Sequence, residues 1–368
     1  MVLFKKKYGN IKKPFIKLGT RSIGSQFPCF VVAEISGNHN QKFEEAVRLI
    51  KAAAEAGADA VKIQTYTPDT ITLKSNKEWF IVRGKKTPEA WKNETLYDLY
   101  KTAYTPWEWH TKLKKVAEEL GLIFFSTPFD ETAVDFLEKL KVPCYKIASY
   151  EVVDIPLIRK VAQTKKPVIM SVGFAALWEI ELAVDTLKKY GSGEIALLHC
   201  VTQYSASPLL SSMNLRTIGD LQEKFGVVSG FSDNNAGIIA PTIAATMGAS
   251  IIEKHLITKR SRGGPDSRFS LEPEEFGQMV KKIRRNEGAK GEVKYGPLNS
   301  AEEYNMRFRP SIFVSKDIKK GEKFSSRNIK TVRPSNGLPP REWDDIIGSR
   351  ALYDIELGTP LSWDLIEK

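Results

Sequence analysis

Ala60-Val61-Lys62-Ile63-Gln64 is a short apolar run that closes on polar side chains, and seven other runs in the first two-thirds of the chain are built alike. They are Phe30 to Glu34, Leu122 to Phe125 ahead of Ser126-Thr127, Cys144 to Ser149, Val168 to Ser171, Ile195 to His199 ahead of Thr202, Val227-Val228 ahead of Ser232-Asp233, and Ile251 to His255. Between them lie stretches with helical spacing of apolar residues, such as Phe43 to Ala56 and Glu179 to Tyr190. Strands alternating with helices predict βαβ units and a parallel sheet. Eight such units predict an α/β fold, a (β/α)8 TIM barrel, with the carboxyl ends of the strands converging on one site. Lys62, Lys146 and several hydroxyls fall at those ends, a ring suited to an anion.

A chain of 368 residues suits one large domain plus a smaller one. Its 42% hydrophobic and 27% charged residues are those of a soluble globular protein. The start, Met1 to Lys17, is basic but lacks the apolar core of a signal peptide. The least polar stretch, Ile238 to Ile252, contains Pro241 and is too short to span a bilayer, so no membrane partner is expected. Cys29, Cys144 and Cys200 each lie in or beside an apolar strand, which predicts buried free thiols in a reducing cytoplasm rather than disulfides or metal ligands. The net charge is +11, with six lysines in the first 17 residues. No binding motif or basic face with interleaved aromatics accompanies them, so a solvated start is expected and no nucleic-acid partner. Net positive charge helps to draw in an anionic substrate.

The barrel domain is expected over residues 1–285, a polar glycine-bearing linker over 286–305, and a small domain over 306–368. The second βα connection, Thr67 to Pro106, is long and holds Trp79, Phe80, Trp91, Tyr97, Tyr100 and Tyr104. Such connections cover or shape the site, and most of these aromatics are expected to pack on the barrel. After the linker the pattern turns to short β-like runs. Asp317 to Ser325 and Asp354 to Ser362 both read D-I-x-x-G-x-x-apolar-S, a doubled turn-and-strand unit that predicts a pseudo-symmetric β-rich domain. Between the copies lies Val332-Arg333-Pro334-Ser335, whose arginine suits a carboxylate or phosphate clamp.

Two lysines at strand ends have three readings: Schiff-base formation with a carbonyl substrate, phosphate binding as point charges, or structural pairing with a carboxylate such as Glu34 or Glu151. The neighbouring Thr127, Ser149, Ser171, Thr202 and Ser232 favour phosphate, since neutral donors and ammonium groups together wrap a tetrahedral dianion. His255 closes the eighth run, as a core residue, a general base or a metal ligand. Glu34, Asp233 and Asp266 are its expected companions, a set that suits Mn2+ or Mg2+. Asp266 lies in Arg262-Gly263-Gly264-Pro265-Asp266-Ser267, a loop able to return over the barrel mouth.

Several pieces in this order and spacing resemble the sialic acid synthase family over nearly the whole chain. They are Ala33 to His39, Gly57 to Thr65, Ser126 to Phe129, Tyr145 to Ser149, Glu253-Lys254-His255, Gly263 to Ser267 and Val332 to Ser335. Within the family, Gln64 to Thr70, Leu96 to Tyr100, Thr105 to His110 and Phe269 to Pro273 look most like the pseudaminic acid synthase subfamily. The resemblance implies a transferase that condenses phosphoenolpyruvate with an open-chain amino sugar to give a nine-carbon 2-keto acid and phosphate. It assigns Lys62, Thr127, Lys146, Ser149, Ser171 and Ser232 to phosphoenolpyruvate, and Thr202 to the phosphate side. It places Glu34 and Asp266 near the metal and the incoming sugar, Gln64 and Tyr204 on the sugar side, and His255 on a divalent metal. Arg333 corresponds to an arginine of a small domain, similar to type III antifreeze protein, that reaches into the partner's barrel in a domain-swapped homodimer. The chain departs from the family at one point: Ser232-Asp233-Asn234 stands where the family has Ser-Asp-His. Asn234 implies a weaker Mg2+ or Mn2+ site, a metal-independent enzyme, or a relative that binds without catalysis.

Overall fold

Over residues 13–84 and 91–367, which the computed structural model describes, eight parallel strands close into a barrel. The basic start through Lys12 lies outside the described residues. The chain divides into two compact units, Met1–Gly291 and Glu292–Lys368.

The first unit opens with an antiparallel hairpin, β1 (Phe15–Leu18) and β2 (Arg21–Gly24). The barrel strands follow: β3 (Phe30–Glu34), β4 (Ala60–Thr65), β5 (Ile123–Pro128), β6 (Tyr145–Ile147), β7 (Val168–Ser171), β8 (Ile195–Val201), β9 (Val228–Asp233) and β10 (Ile251–His255). Each pairs with the next, and β10 closes on β3 with Ile251 opposite Phe30 and His255 opposite Glu34. These are the eight runs expected from the sequence. They read as continuous apolar segments because both of their faces are buried.

Side chains alternate across a strand, so every second residue enters the barrel. The inward residues of the lower half are apolar: Phe30, Val32, Ala60, Phe125, Leu198 and Ile251 belong to one buried cluster. Ile16, Leu18 and Ile23 of the hairpin belong to it too, so the hairpin plugs the amino-terminal opening. Its backbone at Lys17 donates to Glu194 (3.1 Å) and Arg21 pairs with Asp59 (3.2 Å), residues that lie just ahead of β8 and β4. The plug was not anticipated, although Phe15 to Ile23 alternates around the two-residue turn Gly19-Thr20, a hairpin signal.

Outward residues such as Val31, Val61 and Ile63 pack under the helices. Phe43–Glu55 buries Ala46, Leu49, Ile50 and Ala53, one stripe at helical spacing. The helix Pro273–Lys290 runs past Arg285, and Ser300–Asn305 forms a short helix within the stretch read as a linker. Among the described residues no helix is long and apolar enough to cross a membrane.

The second unit is built on β11 (Ser311–Val314) and β12 (Ile329–Val332), an antiparallel pair, and on the doubled motif. The two copies pair with each other: Ile318 and Ile355 exchange both backbone hydrogen bonds at 2.8 Å. Asp317 accepts from the Leu357 amide (2.7 Å), and Asp354 accepts from the Lys320 amide (2.8 Å), the same contact made twice. Gly321 and Gly358 hold the turns at φ of 80° and 85°, which strains any other residue. Phe324 and Leu361, at matching places, enter the core of this unit.

The plug has a testable consequence. Leu18→Ala is expected to cost the first unit about 3 kcal/mol, whereas Lys17→Ala on the exposed face should change stability by less than about 0.5 kcal/mol. Urea unfolding of both variants checks this, and equal effects would contradict the burial of Leu18 in the barrel floor.

Candidate active site

On every strand the inward side changes from apolar to polar in a single step of two residues. Beyond Val32, Ala60, Phe125 and Cys144 come Glu34, Lys62, Thr127 and Lys146; beyond Ile169, Leu198, Gly230 and Ile251 come Ser171, Cys200, Ser232 and Glu253. All of these polar residues line one cavity of about 450 Å³, the size of a small-ligand site. The next step adds Gln64, Thr202, Asn234 and His255, and loops add Ser149, Tyr204 and Asp266. Every expected site residue except Asp233 and Arg333 therefore lines the same cavity. Arg333 is exposed in the second unit, directly after β12.

The floor of the cavity is a buried charge cluster. Lys62 pairs with Glu34, donates to Thr127 Oγ1 (3.1 Å) and lies 3.7 Å from Glu253 Oε1. Lys146 donates to Ser171 Oγ (2.7 Å) and lies 3.5 Å from the same Glu253 oxygen, which also accepts from Ser232 Oγ (3.1 Å). Burial opposes the charge on Lys62, but Glu253 and Glu34 outweigh it and hold its pKa above the usual lysine value. At Lys146 burial wins over Glu253 and the pKa falls. Burial also opposes the charge on Glu253, yet Lys146 and Lys62 keep its carboxyl below the ordinary range. Ser149 Oγ accepts from the amide of Gly173 (3.1 Å), and a side chain at 173 would put its Cβ 2.8 Å from the Cys200 carbonyl oxygen.

A second cluster stands beside the first. Glu34 Oε1 accepts from the amide and hydroxyl of Ser36 (2.9 and 2.7 Å) and from Gln64 (3.3 Å). Ser36 Oγ lies 3.2 Å from His255 Nδ1. Because the hydroxyl proton goes to Glu34, His255 donates through Nδ1 and keeps Nε2 as its bare nitrogen. Burial pushes the His255 pKa down to about 4, so the ring is neutral near pH 7. Burial raises the Asp266 carboxyl despite the nearby His255. Its loop is tied down by Trp91, whose indole donates to the Pro265 carbonyl (3.0 Å), and by Asn40, which donates to the Gly263 carbonyl (3.2 Å). Tyr204, at a left-handed φ of 49°, is wedged between Trp91 and Phe269. Burial raises Glu151 to about 7, and its Oε2 has no hydrogen-bond partner among the described residues.

Asp233 departs from expectation. Strand alternation turns it outward, where it forms a fully buried pair with Lys254 (2.7 Å) and accepts from Asn235 (3.1 Å). It is no companion of His255. Asn234 faces the cavity and its amide donates to Cys200 Sγ (3.6 Å). Among the described residues no three His, Cys, Asp or Glu side chains group as a metal site. All three cysteines are free and buried, and burial pushes Cys200 up to about 11.

Residues 49–295 match the NeuB family, more than half of the chain. The chain belongs to the NeuB family. In this NeuB-family chain residues 309–367 also match the SAF domain. It is 42% identical over 332 residues to the pseudaminic acid synthase of Campylobacter jejuni (serotype O:23/36), covering 90% of this chain and 95% of that protein. It is also 42% identical to the pseudaminic acid synthase of Helicobacter pylori, covering 93% of this chain and 98% of that one. The crystal structure of N-acetylneuraminic acid (sialic acid) synthetase from Leptospira borgpetersenii serovar Hardjo-bovis, in complex with citrate, superposes with a TM-score of 0.70 at 33% identity. It covers 80% of this chain and 95% of that one.

Glu253 is the residue that sequence reasoning about the site missed. The signal was present: Glu253 shares strand parity with His255, so a residue pattern that turns His255 inward turns Glu253 inward as well. Glu253→Gln is expected to destabilise the barrel by about 3 kcal/mol, the cost of stranding buried ammonium groups. Adding Lys146→Met should then cost less than the two single changes summed. A double-mutant cycle by chemical denaturation measures this, and strict additivity would mean that Glu253 and Lys146 do not interact.

Proposed function

We propose that this NeuB-family chain condenses phosphoenolpyruvate with a 2,4-diacetamido-2,4,6-trideoxyhexose to give pseudaminic acid, a nine-carbon 2-keto acid, and phosphate. The observation that carries this reading is the convergence of Lys62 and Lys146 on one carboxylate oxygen inside a ring of hydroxyls. Two ammonium groups with Thr127, Ser149, Ser171, Thr202 and Ser232 make a cradle for an anionic three-carbon substrate. The relatives at 42% identity, named pseudaminic acid synthases, support the choice of sugar.

The enol π electrons form a bond from C3 of phosphoenolpyruvate to the aldehyde carbon, and a proton passes to the aldehyde oxygen. Water adds at C2 and loses one proton; the C2 hydroxyl then loses its remaining proton as its oxygen forms the keto C=O, and the C–O bond to the phosphate oxygen breaks with its electrons leaving on phosphate, which takes up that proton. Asp266, whose carboxyl burial pushes above the usual aspartate range, suits the aldehyde oxygen. Glu34, oriented by Ser36 and paired with Lys62, suits the proton of water. Gln64 and Tyr204 take the sugar side. His255 and Asn234 are the residues that the resemblance assigns to a divalent ion, which when bound would polarise the aldehyde oxygen. Among the described residues no three His, Cys, Asp or Glu side chains group there.

Arg333, exposed and without an ion-pair partner among the described residues, is the proposed clamp on the sugar, supplied by the partner chain of a domain-swapped homodimer. Three buried free thiols support a reducing, cytoplasmic setting.

Phosphate release from phosphoenolpyruvate tests the reading with the altro and gluco forms of the trideoxy sugar and with N-acetylmannosamine, first in EDTA and then in Mn2+. Turnover with the altro sugar is expected. Turnover with the gluco sugar alone would reassign the product to a different nonulosonic acid stereoisomer, and borohydride trapping of a pyruvate adduct would replace the synthase with a Schiff-base aldolase. Persistence in EDTA would mark Asn234 as part of a metal-independent site, whereas a strict Mn2+ requirement would place the ion at His255 and Asn234. Arg333→Ala should raise KM for the sugar at least about tenfold (1.4 kcal/mol) and leave KM for phosphoenolpyruvate unchanged; an equal rise in both would remove Arg333 from the sugar site.

A further inference from the structure

The cavity has two chemically opposite faces. Strand ends supply the charged floor. The connection between β4 and β5 supplies a wall of Ile71, Val82, Leu96, Leu99, Tyr100 and Ala103, with no charged side chain lining it among the described residues. Four of these lie on the helix Leu96–Ala103 at positions i, i+3, i+4 and i+7, the spacing that normally turns a helix toward a core. Yet no residue of that helix is buried. Its apolar stripe faces the cavity instead, beside Ile71 of the neighbouring short helix Pro68–Ile71. Apolar surface of this kind stays wet until a ligand covers it, and covering it is favourable by about 25 cal/mol per Å².

Phosphoenolpyruvate carries no saturated apolar group, so the wall can serve only the sugar. With the C4–C6 end of the sugar on this wall, hydroxyls at C4 and C6 would lose water without gaining partners. A sugar with an acetamido methyl at C4 and a methyl at C6 would cover the same surface. We infer that the helix Leu96–Ala103, with Ile71, is the specificity surface of this enzyme: it selects sugars bearing methyl groups in place of hydroxyls. This rests on the synthase reading above. An apolar pocket discriminates by about ten- to two-hundredfold for such changes, so preference rather than absolute exclusion is expected.

The test compares 2,4-diacetamido-2,4,6-trideoxyaltrose with 2-acetamido-2-deoxyaltrose, which carries hydroxyls at C4 and C6. Leu99→Asn is expected to lower kcat/KM for the first sugar about tenfold through KM, to spare the second, and to leave KM for phosphoenolpyruvate unchanged. Leu99→Met should keep the wild-type preference. Ile71→Thr provides a second polar change if Leu99→Asn does not fold. An unchanged ratio between the sugars in both polar variants, or an equal loss for both sugars, would overturn the inference. Absence of phosphate release by the wild type with any sugar would instead sink the synthase reading. Calorimetric binding of the same two sugars then decides the wall separately: equal affinity, unaffected by Leu99→Asn, would reject it.

Discussion

Glu253 sits between two lysine ammonium groups at the bottom of the barrel mouth, and much of the surrounding architecture is what makes that position tenable. Charges removed from water are costly unless they are paired closely and their remaining donors are satisfied. Here Glu253 meets Lys62, Lys146 and Ser232, Lys62 also meets Glu34 and Thr127, and Lys146 also meets Ser171. The dry layer immediately below strengthens each of these interactions by keeping the local dielectric low. The β1–β2 plug keeps that layer dry from the other end. In the proposed synthase reaction an incoming phosphate would meet donors that are already aimed, and would compete with Glu253 for them.

The barrel and its longest connection divide the work of recognition. Positions on strands hold the groups whose placement has the least tolerance, the ammonium ions, hydroxyls and carboxylates. The connection between β4 and β5 carries shape and polarity, which a few exchanged side chains can alter without moving the floor. Trp91 joins the two parts, since its indole bonds to the loop that carries Asp266 and its ring lies against Tyr204.

The strands were readable because each is buried on both faces and so stands out as an apolar run with a polar end. The site was readable for a related reason: a polar residue at the carboxyl end of a barrel strand has no structural need to be there. Parity within a strand was the unused information. It separates Glu253 and His255, which face inward, from Asp233 and Lys254, which face outward and neutralise each other. The wall formed by Leu96 to Ala103 was not readable, because a stripe at i, i+3, i+4 and i+7 looks the same whether it covers a core or lines a cavity. Arg333 could be singled out as an arginine in a turn-rich segment, but the sugar clamp proposed for it would need a second chain that no local pattern describes.

Closing the barrel joins Phe30 to Ile251, two ends of the sheet separated by more than two hundred residues. Translation delivers about 5–20 residues per second, so β3 leaves the ribosome roughly ten to forty-five seconds before its second neighbour exists. During that interval one edge of a hydrophobic strand has no partner and offers its amides and carbonyls to any other extended chain. That late pairing is what closes the edge, so for the barrel the hazard of aggregation is concentrated in the time before the eighth strand arrives.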